Sequence, residues 1–116
     1  MDARRVSPVV SSAVSRFRRV LETRFGDRLR DVVLYGSHAR GAATEESDVD
    51  VLVVVDRLTH EEADAVARLA YFVDAELGDA WVGLEALAMS TEHAQDLRSR
   101  ERRLMRDIDR EGLRVG

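Results

Sequence analysis

The segment that most constrains the fold is residues 50–56, where five consecutive apolar residues, four of them valine, lie between two aspartates. β-Branched residues favour strands, and a run that is apolar at every position indicates a strand buried on both faces. A second apolar run, at residues 31–35, ends at Gly36 and is also interpreted as a buried strand. The fold should therefore contain a sheet in which the 50–56 strand is central.

Two long helices are predicted from capping signals and apolar stripes. Ser7 and the proline after it are typical of a helix start, and an amphipathic stripe then continues to Gly26. Thr59 and Glu62 form a capping-box pattern at the start of a second helix, which Gly78 ends. Each helix should pack one face against the sheet and leave the other in water.

Residues 80–89 are predicted as a third strand, and Ser90 with Thr91 as the cap of one last helix before Gly112. That helix has a thin apolar line: Ala94, Leu97, Leu104 and Ile108. The order of elements predicts an α/β fold, a small mixed sheet flanked by helices. The length of 116 residues predicts a single domain over residues 1–116.

Composition limits the class of protein and its partners. The formal net charge of -4 gives no overall attraction to nucleic acid or to an anionic membrane, so both are poor default partners. There is no cysteine, which excludes disulfides and thiolate metal sites. The apolar stretches near the N-terminus are too short for a signal peptide or a membrane span, so a cytoplasmic location is expected.

The segment between the first two strands carries the chemistry. It reads Gly36-Ser37-His38-Ala39-Arg40-Gly41 and, after five residues, Ser47-Asp48-Val49-Asp50. A glycine at a strand end allows a sharp turn into a short helix, whose first N–H groups and serine hydroxyl can bind an anion. The tail of a nucleoside triphosphate would suit that position.

Asp48 and Asp50 are two residues apart on a strand, so both side chains should leave from the same face. Two neighbouring carboxylates repel each other, and a hard divalent cation such as Mg²⁺ removes that repulsion while also binding phosphate oxygens. The pair therefore predicts a magnesium site. Two-metal phosphoryl chemistry normally adds a third carboxylate.

These motifs resemble the signature of the minimal nucleotidyltransferases of the DNA polymerase β superfamily. The resemblance implies a polymerase β-like fold and transfer of AMP from ATP. It implies that Gly36, Ser37, Arg40 and Ser47 bind the nucleotide, and that Asp48 and Asp50 are catalytic ligands of a two-metal Mg²⁺ site.

The third catalytic and metal-binding acid of the family lies on the next strand, where Glu85 is the candidate in this chain. The family usually has Asp there, and Gly83 could instead occupy the equivalent position. A catalytically silent module that neutralises a partner by binding alone is therefore the main alternative. Aminoglycoside modification is a weaker one.

The resemblance also implies a partner. Larger relatives carry a helical domain that holds the acceptor, and 116 residues leave no room for one, so the acceptor is expected on a separate protein. A helical HEPN-type toxin, modified on tyrosine, would make this chain its antitoxin. Separately, the thin apolar line on the last helix indicates a hetero- or homo-oligomeric contact.

Other residues are given simpler interpretations. The three histidines, His38, His60 and His93, lack metal-site spacing and are expected on the surface or in loops. Arginines at residues 98–110 alternate with acids, which favours a salt-bridged, solvated face over a nucleic-acid surface. Trp81 and Tyr71 are expected in or near the core.

Overall fold

The computed structural model describes residues 6–44 and 46–116, which form helices on both faces of a four-stranded sheet. The helices are α1 (Pro8–Phe25), α2 (Ser37–Arg40), α3 (His60–Glu76), α4 (Thr91–Ser99) and α5 (Arg103–Glu111). The strands are β1 (Leu29–Tyr35), β2 (Val49–Val55), β3 (Leu84–Ser90) and β4 (Leu113–Arg114). Short 3₁₀ turns follow α1 and α3, at Gly26–Arg28 and Gly78–Ala80.

Both long helices begin where the capping signals predict. The Ser7 hydroxyl accepts the Val10 N–H, and the Thr59 hydroxyl accepts the Glu62 N–H while the Glu62 carboxylate accepts the Thr59 N–H. Gly26 ends α1 with a φ of 56°, a conformation that glycine adopts without steric cost. The predictions for α1 and α3 are confirmed because local chemistry determines these ends.

The sheet has the strand order β3-β2-β1-β4 and is mixed. β2 runs antiparallel to β1 and parallel to β3, and β4 is antiparallel to β1. β2 is buried along its whole length except at Asp50, which is half-buried. The predicted fold class and the central position of this strand are confirmed.

Alternate residues of the strands pack into two apolar layers. On one face, Val51, Val53 and Val55 pack with Phe17 of α1 and Val66 of α3. The other face holds a smaller layer under α4 and α5: Val33, Leu52, Val54, Met89, Ala94, Met105 and Ile108. Burial on both faces explains why β2 is apolar at every position but one.

The third strand begins later than predicted. Residues 80–83 lie outside β3, and the carboxylate of Asp74 on α3 accepts the N–H groups of Val82 at 2.7 Å and Gly83 at 3.1 Å. These bonds satisfy the backbone groups that a strand would use for pairing. The prediction of a strand from residue 80 was wrong because an acid on the preceding helix binds that backbone.

The last predicted helix is two helices. Between α4 and α5, Glu101 has a φ of 53°, which breaks the helical path. The predicted apolar line was wrong at Leu104, which is 39% exposed while the neighbouring Met105 is buried. Its other members, Ala94, Leu97 and Ile108, pack in the layer under α4 and α5. The sequence did not predict strand β4, because two residues are too few to show an alternating apolar pattern.

Trp81 and Tyr71 are not core residues. They are 66% and 69% exposed, respectively, so the expectation that they pack in the interior was wrong.

The arginine-rich C-terminal segment is salt-bridged, with Arg98 paired to Asp109 at 2.9 Å and Arg100 paired to Asp96 at 3.2 Å. Its interpretation as a solvated face is supported. No helix in residues 6–44 and 46–116 is both long and apolar enough to span a membrane.

A bidentate ion pair joins the start of α3 to the 3₁₀ turn before β1. Arg28 donates to both carboxylate oxygens of Glu62, at 2.7 and 2.8 Å, and to the carbonyls of Asp56 and Arg57, each at 3.1 Å. The Arg28 guanidinium and the Thr59 N–H lower the pKa of Glu62 from 4.5 to about 2. Such a planar pair is among the stronger polar contacts.

We expect Glu62→Gln to lower the free energy of unfolding at neutral pH. A lowered folded-state pKa stabilises the protein above the unfolded-state value of 4.5, and this contribution is lost as the pH falls towards about 2. Urea denaturation between pH 7 and 2 should therefore show a weaker acid dependence in Glu62→Gln than in the wild type. The adjacent, exposed Glu61 provides the control Glu61→Gln, and identical profiles for both variants would contradict the expectation.

Candidate active site

Three polar side chains share one face of the sheet where β1 ends and where β2 and β3 begin. Asp50 is the direct partner of Tyr35 in β1 and of Glu85 in β3. Directly opposed residues of neighbouring strands project from the same face. Asp50, Tyr35 and Glu85 therefore form a row across three strands, next to the apolar layer under α4 and α5.

The glycine-serine bend lies directly against Asp50. A Cβ added at Gly36 would be 2.6 Å from Oδ2 of Asp50, and Gly36 has a φ of 77° and a ψ of -156°. That conformation is essentially restricted to glycine. Only a residue without a side chain can therefore connect β1 to α2 while leaving room for the carboxylate.

Asp48 lies beside the segment that leads into β3. A Cβ added at Gly83 would be 3.1 Å from Oδ1 of Asp48, and the Val49 N–H donates to the Gly83 carbonyl at 2.9 Å. Both acids of the motif are thus placed by contacts with glycines, Gly36 for Asp50 and Gly83 for Asp48. The predicted proximity of the bend and Asp50 is present in the structure.

The electrostatics of Asp50 fit a bound cation. Burial raises the pKa of the Asp50 carboxyl, and the negative charge of Asp48 raises it further, while His38 and Arg40 lower it. The charge of Asp48 thus disfavours the ionised form of Asp50, and a hard divalent cation bound by both carboxylates would relieve that penalty. Asp48 and Asp50 therefore fit Mg²⁺, although the described residues contain no cluster of three acidic or imidazole side chains placed to hold a metal.

Glu85 is exposed and lies next to Asp50 across the parallel β2–β3 pair. Gly83, the alternative position for the third acid, abuts Asp48 instead. Among the described residues of β3, Glu85 is the only carboxylate, and its face is that of Asp50. Its assignment as the third acid stays a prediction.

Ser37 and Arg40 occupy the two ends of α2. Ser37 is the first residue of this four-residue helix and is half-buried, and Ala39 anchors the helix in the core. The Arg40 guanidinium is 3.4 Å from the carboxylate of Glu111, and its positive charge acts on Asp50. The two predicted nucleotide-binding residues are therefore on the side of Asp50, since Gly36, next to Ser37, abuts it and the Arg40 charge acts on it.

Ser47 stabilises the turn before β2. Its hydroxyl accepts the Thr44 N–H at 2.9 Å, and its own N–H donates to the Thr44 carbonyl at 3.1 Å, which closes the turn before β2. Nε2 of His38 is within hydrogen-bond distance, 3.2 Å, of the Ser47 carbonyl. Ser47 thus holds the chain that presents Asp48, and its contact with nucleotide stays a prediction.

Sequence reasoning did not assign a role to Tyr35 or His38. Burial raises the pKa of the Tyr35 phenol, and the charges of Asp50 and Glu85 raise it further. His38 connects α2 to the turn before β2. Spacing along the sequence could not have revealed these contacts, because they depend on strand register and on the path of the loop.

An open cleft of about 920 Å³ lies beside Asp48. Its walls come from the start of α1, the loop before β2 and the loop before β3, and include Val9, Val10, Ser47, Asp48, Ala80 and Trp81. Of the predicted site residues within the described chain, Ser47 and Asp48 line it, whereas Asp50 and Glu85 lie on the neighbouring open face of the sheet. The acid pair therefore sits where the cleft meets that face.

A solved structure has the same fold. The crystal structure of a candidate nucleotidyltransferase from Sulfolobus solfataricus superposes with a TM-score of 0.52 at 14% identity, covering 90% of this chain and 78% of that one. At this identity the likeness establishes the architecture alone. The protein has the nucleotidyltransferase fold.

The sequence profile of the nucleotidyltransferase domain family matches residues 14–106. This range contains Asp48 and Asp50, the glycine-serine bend and Glu85. The chain belongs to the nucleotidyltransferase domain family, and the predicted family is confirmed.

Three relatives from Methanocaldococcus jannaschii are each named as a candidate protein adenylyltransferase. They are 43% identical over 44 residues, 40% over 58 and 38% over 56, covering 38%, 49% and 48% of this chain. The aligned stretches span only 44%, 59% and 38% of the relatives' own lengths. The similarity therefore concerns part of each relative.

We expect Gly36→Ala to reduce nucleotidyl transfer by about 100-fold, the order of loss caused by moving a reacting group by about 1 Å. The new methyl group would collide with Asp50. Gly26→Ala is the matched control, because Gly26 also has a positive φ but open space around it. Both substitutions should destabilise the fold by about 1–3 kcal/mol through backbone strain. Equal activities in folded samples of the two variants would show that the Gly36–Asp50 contact is not needed.

Proposed function

We propose that this chain transfers AMP from ATP to a hydroxyl of a protein acceptor, in a reaction that needs Mg²⁺. The observation that carries the proposal is that Asp50 lies directly against Gly36 of the glycine-serine bend, with Asp48 close enough for its charge to raise the pKa of Asp50. Family membership and the names of the three relatives support the reaction class.

Each residue has a role that its position supports. Asp48 and Asp50 would hold Mg²⁺ in a two-metal site, and Gly36 and Ser37 would bind the β and γ phosphates, with Arg40 nearby. Mg²⁺, when bound, supplies charge neutralisation for the triphosphate and the departing pyrophosphate. Arg40 contributes a positive charge that already acts on Asp50.

Glu85 would accept the acceptor's proton. The acceptor oxygen bonds to the α phosphorus, the bond from that phosphorus to the α–β bridging oxygen breaks, and pyrophosphate leaves. Glu85 is exposed on the open face next to Asp50, where a hydroxyl on another protein could reach it. A general base positioned in this way contributes about 10²–10⁴-fold to the rate.

The acceptor that we propose is a tyrosine of a helical HEPN-type toxin, which makes this chain the antitoxin of the pair. The surface supports a protein partner, because Tyr71 and Phe72 on α3 are 69% and 56% exposed. Their rings form an edge-on pair with centroids 5.8 Å apart. Exposed aromatic residues of this kind are enriched where proteins associate.

A binding module without catalysis is the second candidate. The observation that favours it is that no group of three potential metal ligands comes together in residues 6–44 and 46–116. In that case Glu85 marks a third-acid position that has lost its function, and the partner is neutralised by contact alone.

The test of catalysis uses ATP radiolabelled on its α phosphate, Mg²⁺ and cell lysate. We expect a labelled protein band with the wild type, and a loss of at least about 10³-fold with Asp48→Asn combined with Asp50→Asn, since metal binding supplies several kcal/mol. ATP labelled on its γ phosphate should give no band.

The control for that variant is Asp27→Asn combined with Asp64→Asn, which removes two exposed carboxylates outside the site. Its labelling should equal that of the wild type. Unchanged labelling by the Asp48 and Asp50 double variant would reject the proposed site, and nucleotide binding by the wild type without any labelled band would favour the binding module.

Glu85 can be tested separately. We expect Glu85→Gln to lower kcat by about 10²–10⁴-fold with little change in ATP affinity, because the amide keeps the size but cannot take a proton. Glu85→Asp should recover part of the rate, and Glu92→Gln on the exposed surface of α4 should have no effect. A fully active Glu85→Gln variant would exclude Glu85 as the proton acceptor.

A further inference from the structure

Trp81 is the single tryptophan of the chain, and its indole is 66% exposed. It lines the cleft that begins at Asp48. Burial of a large aromatic ring in the core would normally be favourable, and here the fold presents that ring to the cleft instead. The position therefore provides a flat apolar surface next to the acid pair.

The backbone around Trp81 is held firmly. The Trp81 N–H donates to the Gly78 carbonyl at 3.2 Å, which closes the 3₁₀ turn before it. The next two N–H groups, of Val82 and Gly83, donate to the Asp74 carboxylate. A platform whose backbone is already bonded on both sides loses little entropy when it binds a ligand.

Trp81 and Asp48 both line the cleft, and both lie close to Gly83. A Cβ added at Gly83 would be 3.7 Å from Cζ3 of the indole and 3.1 Å from Oδ1 of Asp48. A nucleotide whose phosphates are held near Asp48 would therefore have its sugar and base within reach of the indole.

The charge of the cleft indicates which end of a nucleotide enters it. The described lining contains the acidic residues Glu46, Asp48 and Asp79 and no arginine, whereas Arg40 acts on Asp50 outside the lining. Phosphates away from the metal would be repelled by these acids, and a neutral base would not. The opposite wall offers apolar contacts from Val9 and Val10 at the start of α1.

We propose that Trp81 is the stacking platform for the base of the nucleoside triphosphate, with the phosphates towards the Gly36–Ser37 bend. This inference rests on the proposed function, since it assumes that Asp48 and Asp50 hold the phosphate end. Because stacking is stronger for larger rings, purine nucleotides bind more tightly than pyrimidine nucleotides.

The test measures binding by calorimetry in Mg²⁺, with α,β-methylene-ATP and, separately, tripolyphosphate, which has no base. Trp81→Ala should weaken binding of the nucleotide by about 5- to 150-fold, the range measured for loss of one stacked base, and leave that of tripolyphosphate unchanged. Trp81→Phe should restore part of the affinity. Leu104→Ala is the control, because Leu104 is an exposed apolar residue that does not line the described cleft.

Fluorescence gives a second reading, since Trp81 is the sole tryptophan. The nucleotide alone should quench it, and tripolyphosphate should not. Equal nucleotide affinities of Trp81→Ala and the wild type, a parallel loss of tripolyphosphate binding, or quenching that needs an acceptor protein would each overturn the proposal. If the wild type binds no nucleotide, the proposed function fails as well, whereas an active Trp81→Ala variant with normal affinity overturns the stacking role alone.

Discussion

The hydrogen-bonded register of β2 between β1 and β3 is the constraint on which the rest of the structure depends. It places Asp50 between Tyr35 and Glu85 on a strand that is otherwise buried from end to end. A carboxylate on such a strand is tolerated only near its beginning, where the apolar layers end and the glycine at position 36 leaves space. A register shift of one residue would turn Asp50 towards the layer under α1 and α3.

The acid pair lowers the stability of the folded protein when no ligand is bound. Burial and the neighbouring Asp48 both raise the pKa of Asp50, so the folded state disfavours the ionised form that a metal requires. His38 and Arg40 offset this only in part. Proteins commonly retain such unfavourable groups where binding of a ligand offsets the loss of stability. In this protein, burial of the other, apolar residues of β2 also compensates for that loss.

Elements whose ends depend on residues close in sequence were predicted correctly, and elements whose ends depend on a residue of another element were not. The starts of α1 and α3 depend on side chains within three residues of the cap, so Ser7, Thr59 and Glu62 were sufficient to predict them. The start of β3 depends on Asp74, which belongs to another element, and the pattern from residue 80 was therefore misread as strand. The exposure of Trp81 was also missed, because periodicity reports an average tendency to be buried and not the path of a loop.

The sequence by itself determined the chemistry: a buried central strand, two acids at its beginning, a glycine-serine bend before it and the family to which the chain belongs. Local propensities and the order of residue types are sufficient for these, since they act over a few neighbouring positions. The tertiary structure decided which groups meet: Gly36 with Asp50, Gly83 with Asp48, Glu85 with Asp50, and Trp81 with the cleft. Those contacts depend on strand register and helix packing, which are fixed only when the two apolar layers of the folded protein form.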